Sequence, residues 1–592
     1  MASPAPGAAA SAPIPPADPR GPLQWRRSWQ LLIDLGAFAA VLAAVYGLYA
    51  IGRAWLGPMQ PAAQISLSPR ALPLYAFYSL VRISVAYGLS LVFALGYGYA
   101  AARSPRAEMI LIPLLDILQS IPVLSFLPGV MLAMVALFPS RALGVELGSI
   151  LLIFTGQVWN IAFSFYSSLK TVPRELNEAA RIYRFSSWQR FIELDLPFST
   201  IGLVWNSMMS VAGGWFFLMA CEMFVLGNRD FRLPGLGSYL QSAASAGDTR
   251  AIAWGVGAMI VVIVLLDQLV WRPVIAWADK FKFEQVEGTQ AAQPAILVLL
   301  GRASLVIRGY RRIVRPVVER LTQAFATGAR RAASTFGSVR KEHGGRWGGY
   351  VFAAAAVVGI GFAVYHAGRE LSDLRRGDYF ELLRSAAFTF LRVNAALLLG
   401  ALWTIPAGVA IGSNPRLARI AQPLGQMAAS IPATALFPVI LLFFIRMRSG
   451  MEWAALLLML LGTQWYIFFN VIAGAMAIPT DLKEAAAVFG FTTWERWRKL
   501  ILPAIFPYFV TGMVTASGGA WNASIVAEYF HFQGKILSTP GLGSTISRAS
   551  DTGQIDVLLA ATIIMAAVVV VINRLVWRRM YRLASTRFKL ET

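Results

Sequence analysis

The chain has 592 residues, 57% of them hydrophobic and 14% charged, which is too apolar for an ordinary soluble protein. The formal net charge of +22 does not mark a nucleic-acid binder, because Lys and Arg cluster in short stretches between apolar runs, as in cytoplasmic loops of a membrane protein. One cysteine, Cys221, excludes a disulfide framework within the chain and, lying inside an apolar run, is expected to serve packing.

Residues 1–24 are rich in Ala and Pro and lack the basic start and apolar centre of a cleavable signal peptide, so a disordered tail is expected. Trp25-Arg26-Arg27 follows, and a basic flank there places the N-terminus in the cytoplasm. Apolar runs at about 31–52, 75–101, 109–138, 144–168, 199–226 and 251–275 are mostly long enough to cross a hydrocarbon layer of roughly 30 Å. Residues 284–346 contain no full span, and Arg recurs there at near-helical spacing among Leu, Val and Ile. That pattern predicts a basic amphipathic linker on the cytoplasmic membrane surface, with tethering and regulation both open as its role. Six more runs follow at about 348–366, 382–411, 417–445, 451–474, 504–530 and 556–577. The expected fold is an all-α polytopic membrane protein of about twelve transmembrane helices.

The halves repeat at a spacing of about 306 to 310 residues. Arg82, Pro105-Arg106, Pro113 and Ser120-Ile121-Pro122 match Arg392, Pro415-Arg416, Pro423 and Ser430-Ile431-Pro432. Further on, Glu178-Ala179-Ala180, Pro197, Trp215, Glu222, Gly235-Leu236-Gly237 and Trp271-Arg272 match Glu484-Ala485-Ala486, Pro503, Trp521, Glu528, Gly541-Leu542-Gly543 and Trp577-Arg578. An even number of spans per half makes the duplication parallel. The expected domains are 25–283 (core 75–275) and 347–592 (core 382–577), with both termini cytoplasmic. Arg369, Arg375, Arg376, Arg446 and Arg448 run against that charge bias.

After the fourth span of each half the chain turns polar: Pro173-Arg174-Glu175-Leu176-Asn177-Glu178-Ala179-Ala180 in one, Pro479-Thr480-Asp481-Leu482-Lys483-Glu484-Ala485-Ala486 in the other. Proline followed by acidic residues starts a helix, and each loop ends in Leu-Pro at Leu196-Pro197 or Leu502-Pro503. With this pair of loops the chain resembles the permeases of type I ABC importers (binding-protein-dependent transport inner-membrane components, the MetI-like fold). The family's Gly, six residues after the Glu, is present as Gly490; Arg184 stands in its place in the first copy. The Ser-Ile-Pro, Ala/Val-Glu and Gly-Leu-Gly segments are similar to those of the nitrate, sulfonate, taurine and bicarbonate branch.

The resemblance implies a permease subunit for a small anion, fused as a pseudo-dimer in the bacterial inner membrane, with no chemistry and no cofactor of its own. ATP and Mg²⁺ belong to two separate ATPase subunits, in keeping with the lack of a phosphate-binding Gly-x-x-x-x-Gly-Lys-Ser/Thr loop here. A periplasmic or extracellular solute-binding protein is the second expected partner. By the same resemblance Glu178, Ala179, Ala180, Arg184 and Phe185, with Glu484, Ala485, Ala486, Gly490 and Phe491, form the ATPase contacts. An ion-coupled secondary transporter of twelve spans, an ABC permease for a different solute and a non-transporting scaffold are the alternatives.

Pathway or gate candidates are Arg82, Glu222, Arg392 and Glu528, charges that need partners in a bilayer, and Pro122 and Pro432, which bend their helices. Arg82 is placed to meet Glu222, and Arg392 to meet Glu528, with structural pairing, gating and substrate contact all open. Gln157 and Gln464 are pathway lining or helix-to-helix hydrogen bonds. No metal site is expected, since His531 lacks further ligands at a known spacing.

Overall fold

The computed structural model describes residues 64–281 and 369–587, apart from short interruptions at 121, 139–141, 227–228, 370, 373, 445 and 448. The expected tail 1–24, the spans 31–52 and 348–366 and the linker 284–346 lie outside the described residues.

Ser68 opens the first half: its hydroxyl accepts from the Arg70 N–H ahead of α1 (Leu72–Arg103). Next come α2 (Pro105–Ser120), a 3₁₀ turn at Val123–Phe126, α3 (Leu127–Leu137) and α4 (Leu143–Lys170). The polar loop holds α5 (Arg174–Ile182) and α6 (Ser187–Arg190) and leads into α7 (Leu196–Glu222). A small hairpin, β1 (Val225–Leu226) with β2 (Arg229–Asp230), precedes α8 (Leu236–Ala246), α9 (Thr249–Leu266) and α10 (Arg272–Ala278).

The second half repeats this order. Its helices are α11 (Arg376–Gly412), α12 (Pro415–Ser430), α13 (Ala433–Phe444), α14 (Gly450–Met476), α15 (Thr480–Val488), α16 (Thr493–Glu495) and α17 (Leu502–Ala527). The hairpin β3 (Tyr529–Phe532) with β4 (Lys535–Ser538) follows, then α18 (Leu542–Thr552), α19 (Ile555–Ile572) and α20 (Arg578–Arg587). The hairpins were not anticipated, because each is too short to show an alternating pattern.

Eight helices among the described residues are long and apolar enough to cross a membrane. The expected third span of each half, 109–138 and 417–445, is corrected: neither is one helix. In the second half α12 and α13 meet at 81°, and in the first the chain breaks between Ser120 and Val123. Proline supplies no N–H and holds its predecessor out of the helical region, so Ser-Ile-Pro ends one helix and begins another.

Packing repeats as well: α4 lies between α1 and α7, as α14 lies between α11 and α17. Small residues allow close approach. A Cβ on Gly98 would fall 3.2 Å from the Ala162 carbonyl oxygen, and one on Gly412 2.6 Å from that of Ile472. The halves join through hydrogen bonds such as Leu124 N–H to Asn522 Oδ1 at 3.3 Å, Thr562 Oγ1 to Ser125 O at 3.3 Å and Gln533 N–H to Ala244 O at 3.0 Å.

Candidate functional site

Three constructions stand out: a pair of polar loops, a pair of buried ionic clamps, and a cavity between the halves. In each loop a short helix begins just after proline (Pro173, Pro479) and ends in a left-handed residue. Phe185 N–H donates to Ala180 O at 3.0 Å past Arg184 (φ 51°), and Phe491 N–H to Ala486 O at 3.0 Å past Gly490 (φ 64°). Arg184 and Gly490 thus hold one backbone position, and the substitution changes its conformational cost without changing its shape. Glu178 and Glu484 are exposed, Ala179 and Ala485 half-buried, Ala180 and Ala486 buried. At the tips, Ile182 and Tyr183 are 78% and 75% exposed, as Val488 and Phe489 are at 84% and 77%.

Matched capping boxes continue each loop, Ser186 with Gln189 and Thr492 with Glu495. A π-helical turn then joins it to the next long helix, at Phe191–Asp195 and at Arg496–Ile501. Two more such turns, Asp267–Trp271 and Asn573–Trp577, also match between the halves. Single π turns repeated at equivalent places are typical of functional helix junctions.

The loops differ in how they are held. Asp195 is fully buried and pairs with Arg103, the last residue of α1; Arg190 lies 3.8 Å from the same carboxylate and donates to Asn177 of α5. At the matching places the second half has Ile501, Ser413 and Lys483 for Asp195, Arg103 and Asn177, so this anchor has no equivalent. There Lys499 pairs with Glu495 at 2.9 Å and lies 5.0 Å from the Phe491 ring centre. In the sequence Arg103 and Arg190 belong to the short basic stretches between apolar runs, and nothing local marks Asp195 as their partner.

Arg82 and Glu222 do meet. Arg82 Nη1 donates to Glu222 Oε1 at 2.7 Å and to Pro234 O at 2.9 Å, while Nε and Nη2 grip Glu146 at 2.6 and 2.7 Å. Ser79 Oγ donates to Glu222 Oε1 at 2.7 Å, and Gly237 N–H, in the first turn of α8, donates to Oε2 at 2.7 Å. In the second half Arg392 pairs with Glu528, Thr389 donates to the same carboxylate, and Gly543 N–H donates to Oε2 at 2.8 Å. Each clamp pins three helices with one buried glutamate, and the Gly-Leu-Gly segment supplies a backbone that can come close. A Cβ at Gly235 or Gly541 would lie 2.3 or 2.1 Å from that carboxylate.

The clamps diverge at one residue. Glu146 is buried against Arg82, whereas Glu452, at the equivalent place in α14, is exposed, and Arg392 donates instead to Thr539 Oγ1 at 3.0 Å and Pro540 O at 3.2 Å. Glu146 was not singled out from the sequence. The repeat does place a Glu at both positions, but identical letters cannot show that only the first is buried.

A cavity of about 200 Å³ lies between the halves, bounded by both helix breaks (Val123; Ile431, Pro432 and Ala433) and by α4, α7, α14 and α17. Pro432 is on its wall, and Pro122 adjoins it as the residue before the 3₁₀ turn. Gln157 is fully buried against Gly214, where a Cβ would lie 2.2 Å from its Nε2, and Gln464 accepts from Trp403 Nε1 at 3.0 Å. Neither amide is on the cavity wall, nor are Arg82, Glu222, Arg392 and Glu528.

The nitrate import permease of Leptolyngbya laminosa is 28% identical over 185 residues, 31% of this chain and 63% of that protein. The bicarbonate transport system permease of Synechococcus elongatus is 28% identical over 203 residues, 34% of this chain and 68% of the relative. An ABC transporter permease of Methanocaldococcus jannaschii is 28% identical over 211 residues, 34% and 75% of the two chains. The family described as the binding-protein-dependent transport system inner membrane component matches twice, at residues 93–270 and 404–588, together more than half of the chain. The chain therefore belongs to that family of ABC importer permeases, and it carries two copies of the family's domain in one polypeptide.

Proposed function

We propose that this chain forms the whole transmembrane pathway of an ATP-driven importer for a small anion of the nitrate, bicarbonate or sulfonate class, one chain replacing the usual pair of permeases. The domains are taken as 25–283 and 347–592, with the polar loops and both termini cytoplasmic in a bacterial inner membrane. The carrying observation is the matched pair of polar loops, in each of which one short helix exposes a glutamate and an apolar tip and a second runs through a π turn into a long helix.

On this reading α5 and α15 dock on two separate ATPase subunits. Their small Ala179-Ala180 and Ala485-Ala486 faces pack inward, while Ile182 and Tyr183, or Val488 and Phe489, enter a groove on the partner. Arg184 with Phe185, and Gly490 with Phe491, set the angle at which each helix is presented. Closure of the ATPase pair moves α7 and α17 through the Leu-Pro junctions and alternates access to the cavity. A solute-binding protein docks at the opposite end, near the two hairpins. The four clamp charges hold that end rigid in each half, and Pro122 and Pro432 keep the helices broken at the cavity wall. Behind it Gln464 links two helices through its hydrogen bond from Trp403, and Gln157 packs against Gly214 of α7.

Copurification tests the docking. Changing both Glu178→Lys and Glu484→Lys is expected to abolish recovery of the partner ATPase while the permease stays folded, and unchanged recovery would count against the reading. An ion-coupled transporter, the rival mechanism, needs no such loops and would move solute without ATP.

A further inference from the structure

Two cavities lie between the halves, at opposite ends. The central one reaches Asn573 and Trp577, past the last residue of α19, while a second of about 290 Å³ is lined by Tyr529, Phe530 and His531 of the hairpin strand β3. Because α17 starts at a polar loop and ends at β3, about 40 Å further on at 1.5 Å per residue, the first cavity belongs to the loop side and the second to the hairpin side. What separates them is thin. Val123 borders the central cavity and its neighbour Leu124 the hairpin-side one; on α17, Asn522 and Ala523 border the first, Ile525 and Val526 the second. The septum is the 3₁₀ turn Val123–Phe126 of the first half, set against one turn of α17 of the second.

Two hydrogen bonds from the second half hold that turn. The first N–H groups of a helical turn find no acceptor within it, and Pro122, at the cap position, offers none from its side chain. Leu124 N–H donates instead to Asn522 Oδ1 at 3.3 Å, and the Asn522 amide is itself fixed by donating to Gly518 O at 3.1 Å. Thr562 Oγ1 of α19 donates to Ser125 O at 3.3 Å. Leu124, Ser125, Asn522 and Thr562 are all buried, where losing a partner is costly. No equivalent pair runs the other way. At the places of Asn522 and Thr562 the first half has Phe216 and Val256, side chains that neither donate nor accept, and Thr434, at the place of Leu124, keeps a buried hydroxyl without a partner.

We propose that this 3₁₀ turn is the barrier between the two sides of the pathway, and that Asn522 and Thr562 are positioning residues that latch it shut. The barrier of this two-domain chain is thus held from one half only, although the spans around it are duplicated. The proposal rests on the importer reading in treating the two cavities as one pathway, and it deepens that reading by naming the residues that must part for solute to pass. Movement of α17, which carries Asn522 and runs to a polar loop, releases the Leu124 N–H and opens the turn.

The test places a thiol below the barrier. Gly518→Cys lies on the central cavity wall one helical turn from Asn522, where no atom is within 4 Å of an added Cβ; Cys221 is fully buried, and the chain without Gly518→Cys supplies the blank. The full chain, in membrane vesicles of either orientation and without ATP, is labelled by a membrane-impermeant methanethiosulfonate. Labelling is expected from the loop side, and about tenfold more slowly or not at all from the hairpin side. Adding Asn522→Leu, of similar size and unable to accept from Leu124, should quicken hairpin-side labelling about tenfold, and adding Thr562→Val about fivefold, as loss of one buried hydrogen bond shifts an opening equilibrium. Loop-side labelling should stay within about twofold, which a general loosening of the fold would not leave. Val256→Ala, at the place equivalent to Thr562, should change neither side.

Equal labelling of Gly518→Cys from both sides, or labelling from neither, would overturn the proposal. So would hairpin-side rates that neither latch variant raises, a rise equal on both sides, or a Val256→Ala effect as large as that of Thr562→Val. Thr562→Val keeps the shape of its side chain and carries the test should Asn522→Leu fold poorly. The labelling needs neither ATP nor the partner subunits, whereas ATP-driven uptake tests the importer reading, so failure of one is distinguishable from failure of the other.

Discussion

The Gly490 and Arg184 positions allow the two loops to be compared on a single quantity. Both residues sit in the left-handed region, at φ 64° and 51°, and close the same C-terminal helix cap. A residue with a Cβ is disfavoured there by about 1 kcal/mol. At Gly490 the surroundings add nothing, because no atom lies within 4 Å of the position a Cβ would take. Gly490→Ala should therefore destabilise the second cap by about 1 kcal/mol, close to a fivefold rise in local opening. Arg184→Gly should act oppositely on the first cap, by somewhat less, since glycine also gains freedom in the unfolded chain. Amide hydrogen exchange in nanodiscs reads both effects at Phe491 and Phe185, whose N–H groups bond Ala486 O and Ala180 O at 3.0 Å. Exchange at Phe491 should quicken about fivefold and exchange at Phe185 should slow two- to fivefold. If Gly490→Ala leaves the Phe491 rate unchanged, the left-handed cap does not govern the stability of the loop.

Other consequences follow from the buried charges. Glu222→Gln leaves Arg82 paired with Glu146 alone and weakens the hydrogen bonds to the lost carboxylate, so it should lower stability by roughly 1.5–3 kcal/mol, visible as earlier thermal unfolding in detergent. Glu452→Gln, on the exposed counterpart of Glu146, should leave the same curve within about 0.5 kcal/mol, and a large shift would show that the clamps are more alike than their geometry. Gly541→Ala forces a Cβ to 2.1 Å from the Glu528 carboxylate and should displace α18, lowering stability by a few kcal/mol; a neutral outcome would mean that the carboxylate moves freely. Asp195→Asn should loosen only the first loop, raising hydrogen exchange across α5 while α15 is unaffected, and equal effects on both would refute the claimed asymmetry of anchoring.

Much of this fold could be read from the chain because the physics behind it is local and repeated. Apolar run length gives the spans, and the 306-residue spacing of Glu178 and Glu484 makes a motif that would be meaningless once into a specific one. The pairing of Arg82 with Glu222 followed from charge placed at similar depth in neighbouring spans. What could not be read depends on three-dimensional approach. Glu146 and Glu452 are identical letters in equivalent helices, yet one is buried against an arginine and the other faces out. Asp195 meets Arg103 across 92 residues, and the central cavity is lined by Trp577, which the sequence marks only as part of a repeated Trp-Arg. Proline did announce a bend in the third span of each half, but not that the bend would reach 81° in the second and set a helix N-terminus on the cavity wall.

The most direct test of the central claim is uptake into proteoliposomes holding this chain and its partner ATPase, with solute-binding protein outside and nitrate, bicarbonate or a sulfonate as labelled cargo. An ATP-dependent importer should accumulate the anion only when ATP is supplied to the loop side, and lose that activity when Glu178→Lys and Glu484→Lys are combined. Accumulation driven by a proton or sodium gradient without ATP, and indifferent to those two changes, would contradict the account.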